Sequence, residues 1–369
     1  MKYAAITGWA KCLPPAILTN EDLSTFLDTD DEWISSRTGM KERRISHVPI
    51  STLGHVAAHR ALACAGKSAD DVELIIFGTT SPDQICPNTS SHVQKLLGAK
   101  NAACMDLNTA CTSFLYSLTA ATSMIRTGVI KNAIVIGAEV ISPLIDWHNR
   151  NIAILFGDGA SAVHIEASDH KEGLLAEELG CFGDVREILL VHGFGSLYAN
   201  KGVHLGNTKW NFEGQEIFKK AVNGMVGASE KVLSKCDLTT DDIDLVVPHQ
   251  ANVRIINAVT DRLNIPQDKV FLNVHRYGNM SAATVPTAIV EALEEGRILP
   301  HCKILSPAFG GGLTWCAHFL KWGERITPLG QSDIELPPCD KSALELVEEM
   351  KSAKERGIRT DIDRTYTTS

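Results

Sequence analysis

The sequence predicts an α/β protein built on buried sheets, with its plan stated twice. Three observations carry that expectation. Short apolar runs alternate with longer helical stretches. The runs are continuously apolar rather than alternating, as in strands covered on both faces. Each half of the chain also closes with a glycine turn that leads into a last strand.

In chain order, residues 3–6 open as a strand. Residues 74–80 (LIIFGTT), 132–139 (NAIVIGAE) and 160–165 (ASAVHI) read as further strands, the last after the turn Gly157-Asp158-Gly159. In the second half, 245–248 and 303–307 are strand-like, and Gly310-Gly311-Gly312 precedes Leu313-Thr314-Trp315. Helices fall between them. Leu115, Leu118, Ala121, Thr122 and Ile125 recur at helical spacing, and 215–233 and 251–263 read likewise. The repeated plan places a boundary near Glu172-Gly173, giving halves 1–172 and 173–322. The character changes after Trp322. Residues 323–338 hold scattered Pro and Gly, and Asp340 is placed to cap a charged helix over 341–356, whose apolar stripe is Leu344, Val347 and Met350. The extension 323–369 is therefore expected to be partly helical.

Composition narrows the function classes. The 369 residues are 44% hydrophobic and 21% charged, an ordinary globular balance. A net charge of −9 argues against a general nucleic-acid surface. The 10 cysteines form no C-x-x-C pair and no zinc spacing, so no metal site is expected. No apolar run is long enough to span a membrane, and the start lacks a secretory leader pattern. Reduced thiols in a cytoplasm are the expectation.

Four segments carry candidate chemistry. Cys111 sits in Asp106-Leu107-Asn108-Thr109-Ala110-Cys111-Thr112-Ser113, just before a helix, where the dipole favours thiolate. By itself it fits an inert buried thiol better than a nucleophile. His249, in Pro248-His249-Gln250-Ala251-Asn252, stands where a strand gives way to a helix and is placed to point into a cleft. A lone histidine there is equally a satisfied core residue. Asn279, in Tyr277-Gly278-Asn279-Met280-Ser281-Ala282-Ala283-Thr284, suits close substrate approach or simple capping. The glycines of Phe309-Gly310-Gly311-Gly312 suit an oxyanion site or a tight turn.

Together these segments resemble the thiolase superfamily, and within it the β-ketoacyl-acyl-carrier-protein synthase III family. Asp30-Asp31-Glu32-Trp33-Ile34 with Arg37-Thr38-Gly39, and Phe156-Gly157-Asp158-Gly159-Ala160, complete the match, which runs from about Tyr3 to Trp322. The resemblance implies a thiolase-like duplicated five-layer αβαβα fold and a homodimer. It implies that Cys111 is acylated and that His249 and Asn279 complete a triad, with the Cys111 and Gly311 backbone N–H groups as the oxyanion donors. The reaction implied is decarboxylative condensation of an acyl-CoA primer with malonyl-acyl-carrier protein or malonyl-CoA, giving a 3-oxoacyl thioester that starts fatty-acid synthesis. Coenzyme A thioesters are substrates, and no cofactor is implied. A second cysteine in the terminal glycine loop, which thiolases need, is absent before Cys316. Trp33, Arg37 and Arg150 match coenzyme A contacts, and Gly214 and Asn252 match pantetheine contacts. Lys219, Arg254 and Arg262 match the carrier-protein docking patch, which in this chain also contains Asp261.

One departure concerns the primer. Cys86 stands before Pro87 where the family often has Phe in the acyl pocket, reached from the neighbouring subunit. A small thiol there implies a medium or longer primer. The alternatives are a secondary-metabolite condensing enzyme or acyltransferase of the same fold, and a non-decarboxylative condensation of two acyl-CoAs. The latter wants a carboxylate base, for which Asp83 is the only acid in that stretch.

Overall fold

The computed structural model describes residues 2–197 and 208–355. One nine-stranded sheet organises it. Outward from Tyr3–Cys12 come Gly159–Ser168, Asn132–Glu139, Leu74–Gly78 and Ala103–Leu107. Outward from Gly173–Cys181 on the other side come Thr314–Lys321, Lys303–Gly310 and Leu245–Val246, with Val270 bridged to Val246 beyond. The two sets meet where Ala4 pairs with Gly173. Each set runs antiparallel, antiparallel, parallel, parallel from this seam. The plan stated twice in the sequence is thus stated twice in space.

The layers follow from which side chains each strand sends to each face. Leu74 and Ile76 join one core with Val135, Leu245, Ile304 and Cys316, around Phe114, Leu115, Leu118 and Ile125 from helix Ser113–Arg126 and Val285, Ala288 and Ile289 from helix Thr284–Glu294. Ile75, Phe77, Ile134 and Ile136 face the other way, onto Leu53, Ala57, Ala61 and Val93 of helices Ile50–Ala65 and Thr89–Leu97. Val246, Leu305 and Phe319 face Ile217, Val222, Val232 and Ile256 of helices Gly214–Ser234 and Val253–Arg262. Two central helices between two sheet halves, each backed by two outer helices, make the five layers. Burial on both faces explains why Leu74–Gly78 is apolar throughout. Each such Leu, Ile or Phe contributes about 1.5–3 kcal/mol.

Three details differ from the sequence reading. Helix Val253–Arg262 begins after Asn252, because the Asn252 side chain accepts the Ile255 N–H at 2.9 Å and caps it. The last helix is Ala343–Glu355 and is capped by Ser342, not Asp340. The Ser342 hydroxyl accepts the Glu345 N–H at 3.2 Å, and the Glu345 carboxylate accepts the Ser342 N–H at 2.8 Å. Its buried face is Ala343, Leu346 and Val347, flanked by Met350. The hairpin of Leu189–His192 with Lys209–Phe212 was not expected from its short, partly polar strands.

Candidate active site

Both central helices begin in the same way. A short 3-10 turn, Ala110–Thr112, leads into Ser113–Arg126, and Ser281–Ala283 leads into Thr284–Glu294. Ala110 (φ 54°) and Ser281 (φ 47°) are left-handed, which costs about 1–2 kcal/mol at a non-glycine residue. The two turns pack against each other, bringing the Cys111 turn of one half against the Ser281–Ala283 turn of the other. Gly137 makes room for this, since a Cβ there would lie 2.4 Å from the Ala282 carbonyl oxygen.

The glycine loop closes on the same point. A Cβ at Gly310 would sit 2.7 Å from the Cys111 backbone nitrogen, so only glycine lets the loop approach the Cys111 amide. Gly311 lines the cavity beside Cys111 and Ser281. The backbone of His249 is pinned to the same strand, its N–H donating to the Pro307 carbonyl at 2.9 Å. Asn279 is held by the Leu155-Phe156-Gly157 segment: the Asn279 N–H donates to the Leu155 carbonyl (2.9 Å) and the Gly157 N–H donates to the Asn279 carbonyl (3.2 Å). Its Oδ1 accepts the Ser281 N–H at 2.8 Å, which leaves the side-chain NH₂ as the donor for a ligand.

The electrostatics correct one expectation. Burial pushes the Cys111 thiol up to about 12, against a lowering by the Ser281 hydroxyl and by its own backbone N–H, so the helix start does not make a resting thiolate. Burial also depresses His249 to about 3, leaving a neutral imidazole. The resting pair is thiol and imidazole. Glu139 is a buried acid near Cys111 that the sequence did not single out. Its Oε1 takes hydrogen bonds from Thr79 Oγ1, Ser81 Oγ and the Thr80 and Ser81 N–H groups. These four donors on one oxygen brace the loop, while the other oxygen, Oε2, meets only the Ala282 N–H at 3.5 Å. Ser281 and Thr284 were likewise missed; both are small hydroxyl residues inside a motif, with no spacing signal of their own.

A cavity of about 630 Å³ leads from Cys111 and is walled by Ile141, Leu144, Phe156, Leu189, Val191 and Trp210. Its size and apolar walls suit a small organic chain. Asp83, Gln84 and Ile85 of the same chain also line it, whereas Cys86 is exposed and does not. Two guanidinium groups lie over the Trp33 ring, Arg37 at 4.4 Å and Arg150 at 4.7 Å from its centroid. Arg150 is tied to Asp28. Gly214 opens helix Gly214–Ser234, and Asn252 is engaged as a cap. Lys219 pairs with Glu216 at 2.7 Å, Arg262 donates to Asn223 at 2.7 Å, and Arg254 is exposed on the same helix as Arg262. Lys220 lies over the Phe182 ring at 5.0 Å. Among the described residues no cluster of His, Cys, Asp or Glu is arranged to hold a metal, and no helix is long and apolar enough to cross a membrane.

Comparison with known proteins identifies the family. Residues 105–183 match the family described as 3-oxoacyl-[acyl-carrier-protein (ACP)] synthase III, and 233–322 match its C-terminal part. A Vibrio cholerae beta-ketoacyl-[acyl-carrier-protein] synthase III 2 is 54% identical over 94% of this chain and 95% of its own length. A Clostridium acetobutylicum beta-ketoacyl-[acyl-carrier-protein] synthase III is 44% identical over 87% and 99%. The crystal structure of the Aquifex aeolicus 3-oxoacyl-[acyl-carrier-protein] synthase III superposes with a TM-score of 0.81 at 42% identity, over 86% of this chain and 100% of that one. The priming beta-ketosynthase of the R1128 polyketide pathway superposes at 0.82 with 29% identity, over 88% and 97%. On the strength of these matches and of the duplicated fold, the chain belongs to the 3-oxoacyl-[acyl-carrier-protein] synthase III family and is an acyl-transferring condensing enzyme of the thiolase superfamily.

Proposed function

We propose that the chain condenses an acyl-CoA primer with a malonyl thioester, through an acyl-enzyme on Cys111, to begin fatty-acid synthesis. The observation that carries this reading is the meeting of the Cys111 turn, the Ser281–Ala283 turn and the Gly310–Gly311 loop beside an apolar cavity. The Cys111 sulfur attacks the primer's thioester carbon while its proton passes to Nε2 of His249. The oxyanion is held by the N–H groups of Cys111 and Gly311. As the tetrahedral intermediate collapses, the C–S bond to coenzyme A breaks, and the departing thiolate takes the proton back from His249.

The malonyl thioester then enters. Its carboxylate leaves as carbon dioxide, and the electron pair forms an enolate whose oxygen is held by Asn279 Nδ2 and His249 Nε2–H. The enolate carbon attacks the acyl group on Cys111, the thiolate leaves as the 3-oxoacyl thioester forms, and it takes a proton from water to restore the resting thiol. Trp33, Arg37 and Arg150 would hold the nucleotide end of coenzyme A. Gly214 and Asn252 would flank the pantetheine. Lys219, Arg254 and Arg262 would meet a malonyl-acyl-carrier protein, with Asp261 weakening that surface relative to malonyl-CoA. The halves are 1–172 and 173–322, with the extension 323–369 beyond. The enzyme works as a cytoplasmic homodimer, in which Cys86 of one subunit faces the acyl cavity of the other.

The reading is tested by carbon dioxide release from malonyl thioester in Asn279→Ala. Decarboxylation at least tenfold slower, with Cys111 still acylated, supports it. Unimpaired condensation removes Asn279 from the enolate-holding role.

A further inference from the structure

The chain beyond Trp322 is laid along the first half of the molecule. Leu329 N–H donates to the Cys64 carbonyl at 3.0 Å, Arg60 donates to the Ile334 carbonyl at 2.8 Å and pairs with Glu335 at 2.7 Å, and His47 lies 2.8 Å from the Pro337 carbonyl. Helix Ala343–Glu355 then packs on the hairpin Ala16–Thr19/Glu42–Ile45. It buries Ala343, Leu346 and Val347 in a cluster shared with Ile145 and Trp147, and Leu144 and Trp210 pack against that cluster.

Its last described turn reaches the cavity wall. Lys354 Nζ donates to the Ile145 carbonyl at 2.8 Å and to Thr208 Oγ1 at 2.9 Å. Thr208 Oγ1 donates in turn to the Leu144 carbonyl at 2.8 Å, and Trp210 Nε1–H donates to that same carbonyl at 2.8 Å. Leu144 and Trp210 line the cavity, and the Trp210 ring stands 5.1 Å from the Phe156 ring, which also lines it. A half-buried ammonium is retained only where acceptors are in place. Both acceptors belong to the two segments that form this wall, and burial holds the lysine below its usual range.

We propose that the C-terminal helix is a primer-specificity element, in which Lys354 is a positioning residue that fixes the Leu144–Trp210 wall and so sets how well longer acyl chains bind. This rests on the reading that the cavity holds the primer's acyl chain. An acetyl group stays near Cys111 and does not need that wall. An octanoyl chain does.

The test is the rate of Cys111 acylation by acetyl-CoA and octanoyl-CoA, followed by intact mass, in wild type, Lys354→Met and Lys354→Arg. The expectation for Lys354→Met is a KM for octanoyl-CoA raised about fivefold or more at nearly unchanged kcat, with acetyl-CoA within about twofold of wild type. Lys354→Arg keeps donors at this place and restores the octanoyl KM most of the way. Should Lys354→Met fail to fold, Thr208→Val cuts the same link from the other side and shifts the octanoyl KM in the same direction. An unchanged octanoyl-to-acetyl ratio in a folded variant overturns the proposal. No Cys111 adduct in wild type with either thioester overturns the acyl-cavity reading, and the proposal with it.

Discussion

Nδ1 of His249 lies 2.6 Å from Oγ1 of Thr284, and that hydroxyl also lies 3.0 Å from the Ser281 carbonyl oxygen. A hydroxyl carries one proton, so the two contacts compete for it. With the proton on the Ser281 carbonyl, Thr284 accepts Nδ1–H, and Nε2 keeps the lone pair that takes the Cys111 proton. With the hydroxyl turned to Nδ1, Nε2 carries hydrogen and donates to the enolate. One side chain accommodates both states that the two proposed half-reactions need. Thr284→Val is expected to leave Nδ1 buried without a partner and to slow condensation about 10–100-fold, from a loss of about 1–3 kcal/mol. The comparison is single-turnover acylation against steady-state condensation. Full activity of the valine variant would remove Thr284 from this role.

The Cys111 thiol gives a pH signature. Its acidity is weakened to about 12, so below that value the thiolate fraction rises about tenfold for each pH unit. Alkylation of Cys111 by iodoacetamide, followed by peptide mapping, is expected to climb steadily from about pH 6 to about pH 9. A plateau within that range would show a thiolate already formed at rest, as the helix dipole alone predicts.

Three buried histidines weaken stability toward acid. Burial depresses His164 to about 4 and His249 and His318 to about 3. In the unfolded chain they take protons near 6.5, while the folded protein refuses them. Their contribution is therefore fully present above about pH 6.5 and is lost as pH falls toward the folded values, on the order of 1–2 kcal/mol each by about pH 5. Thermal melts are expected to show Tm falling from pH 7 to pH 5. A flat profile across that range contradicts the assignment of neutral buried rings.

Cys86→Phe tests the proposed dimer contribution to the primer site. If Cys86 of one subunit faces the neighbour's acyl cavity, a ring there takes up space, and acylation by octanoyl-CoA is expected to fall about tenfold or more relative to acetyl-CoA. Equal loss for both thioesters would place Cys86 away from the acyl chain.

What the sequence disclosed, it disclosed through pattern. The apolar run at Leu74–Gly78 and the glycine turns announced the doubled sheet, because burial on both faces and close backbone approach leave marks in local composition. Cys111, His249, Asn279 and Gly311 stand out as candidates because each lies in a distinctive segment. The resting state of Cys111 was not legible, since desolvation depends on everything packed around the thiol and local sequence reports only the helix start. Thr284 was hidden by being an ordinary residue whose importance lies in what it touches. Lys354 was hidden more deeply, because its partners Ile145 and Thr208 are remote in sequence and only the packing of the last helix brings them to it. The mistaken cap at Asp340 has a similar cause, for two acceptable capping residues stand close together and Ser342 alone has Glu345 three places on.

The central claim is that Cys111 carries the acyl group through the reaction. Intact-mass spectrometry after mixing with acyl-CoAs of graded length tests it most directly. The account predicts one added acyl group per chain, mapped to Cys111, absent in Cys111→Ala and discharged when malonyl thioester is supplied. A protein that condenses without this adduct, or an adduct that persists in Cys111→Ala, would contradict it.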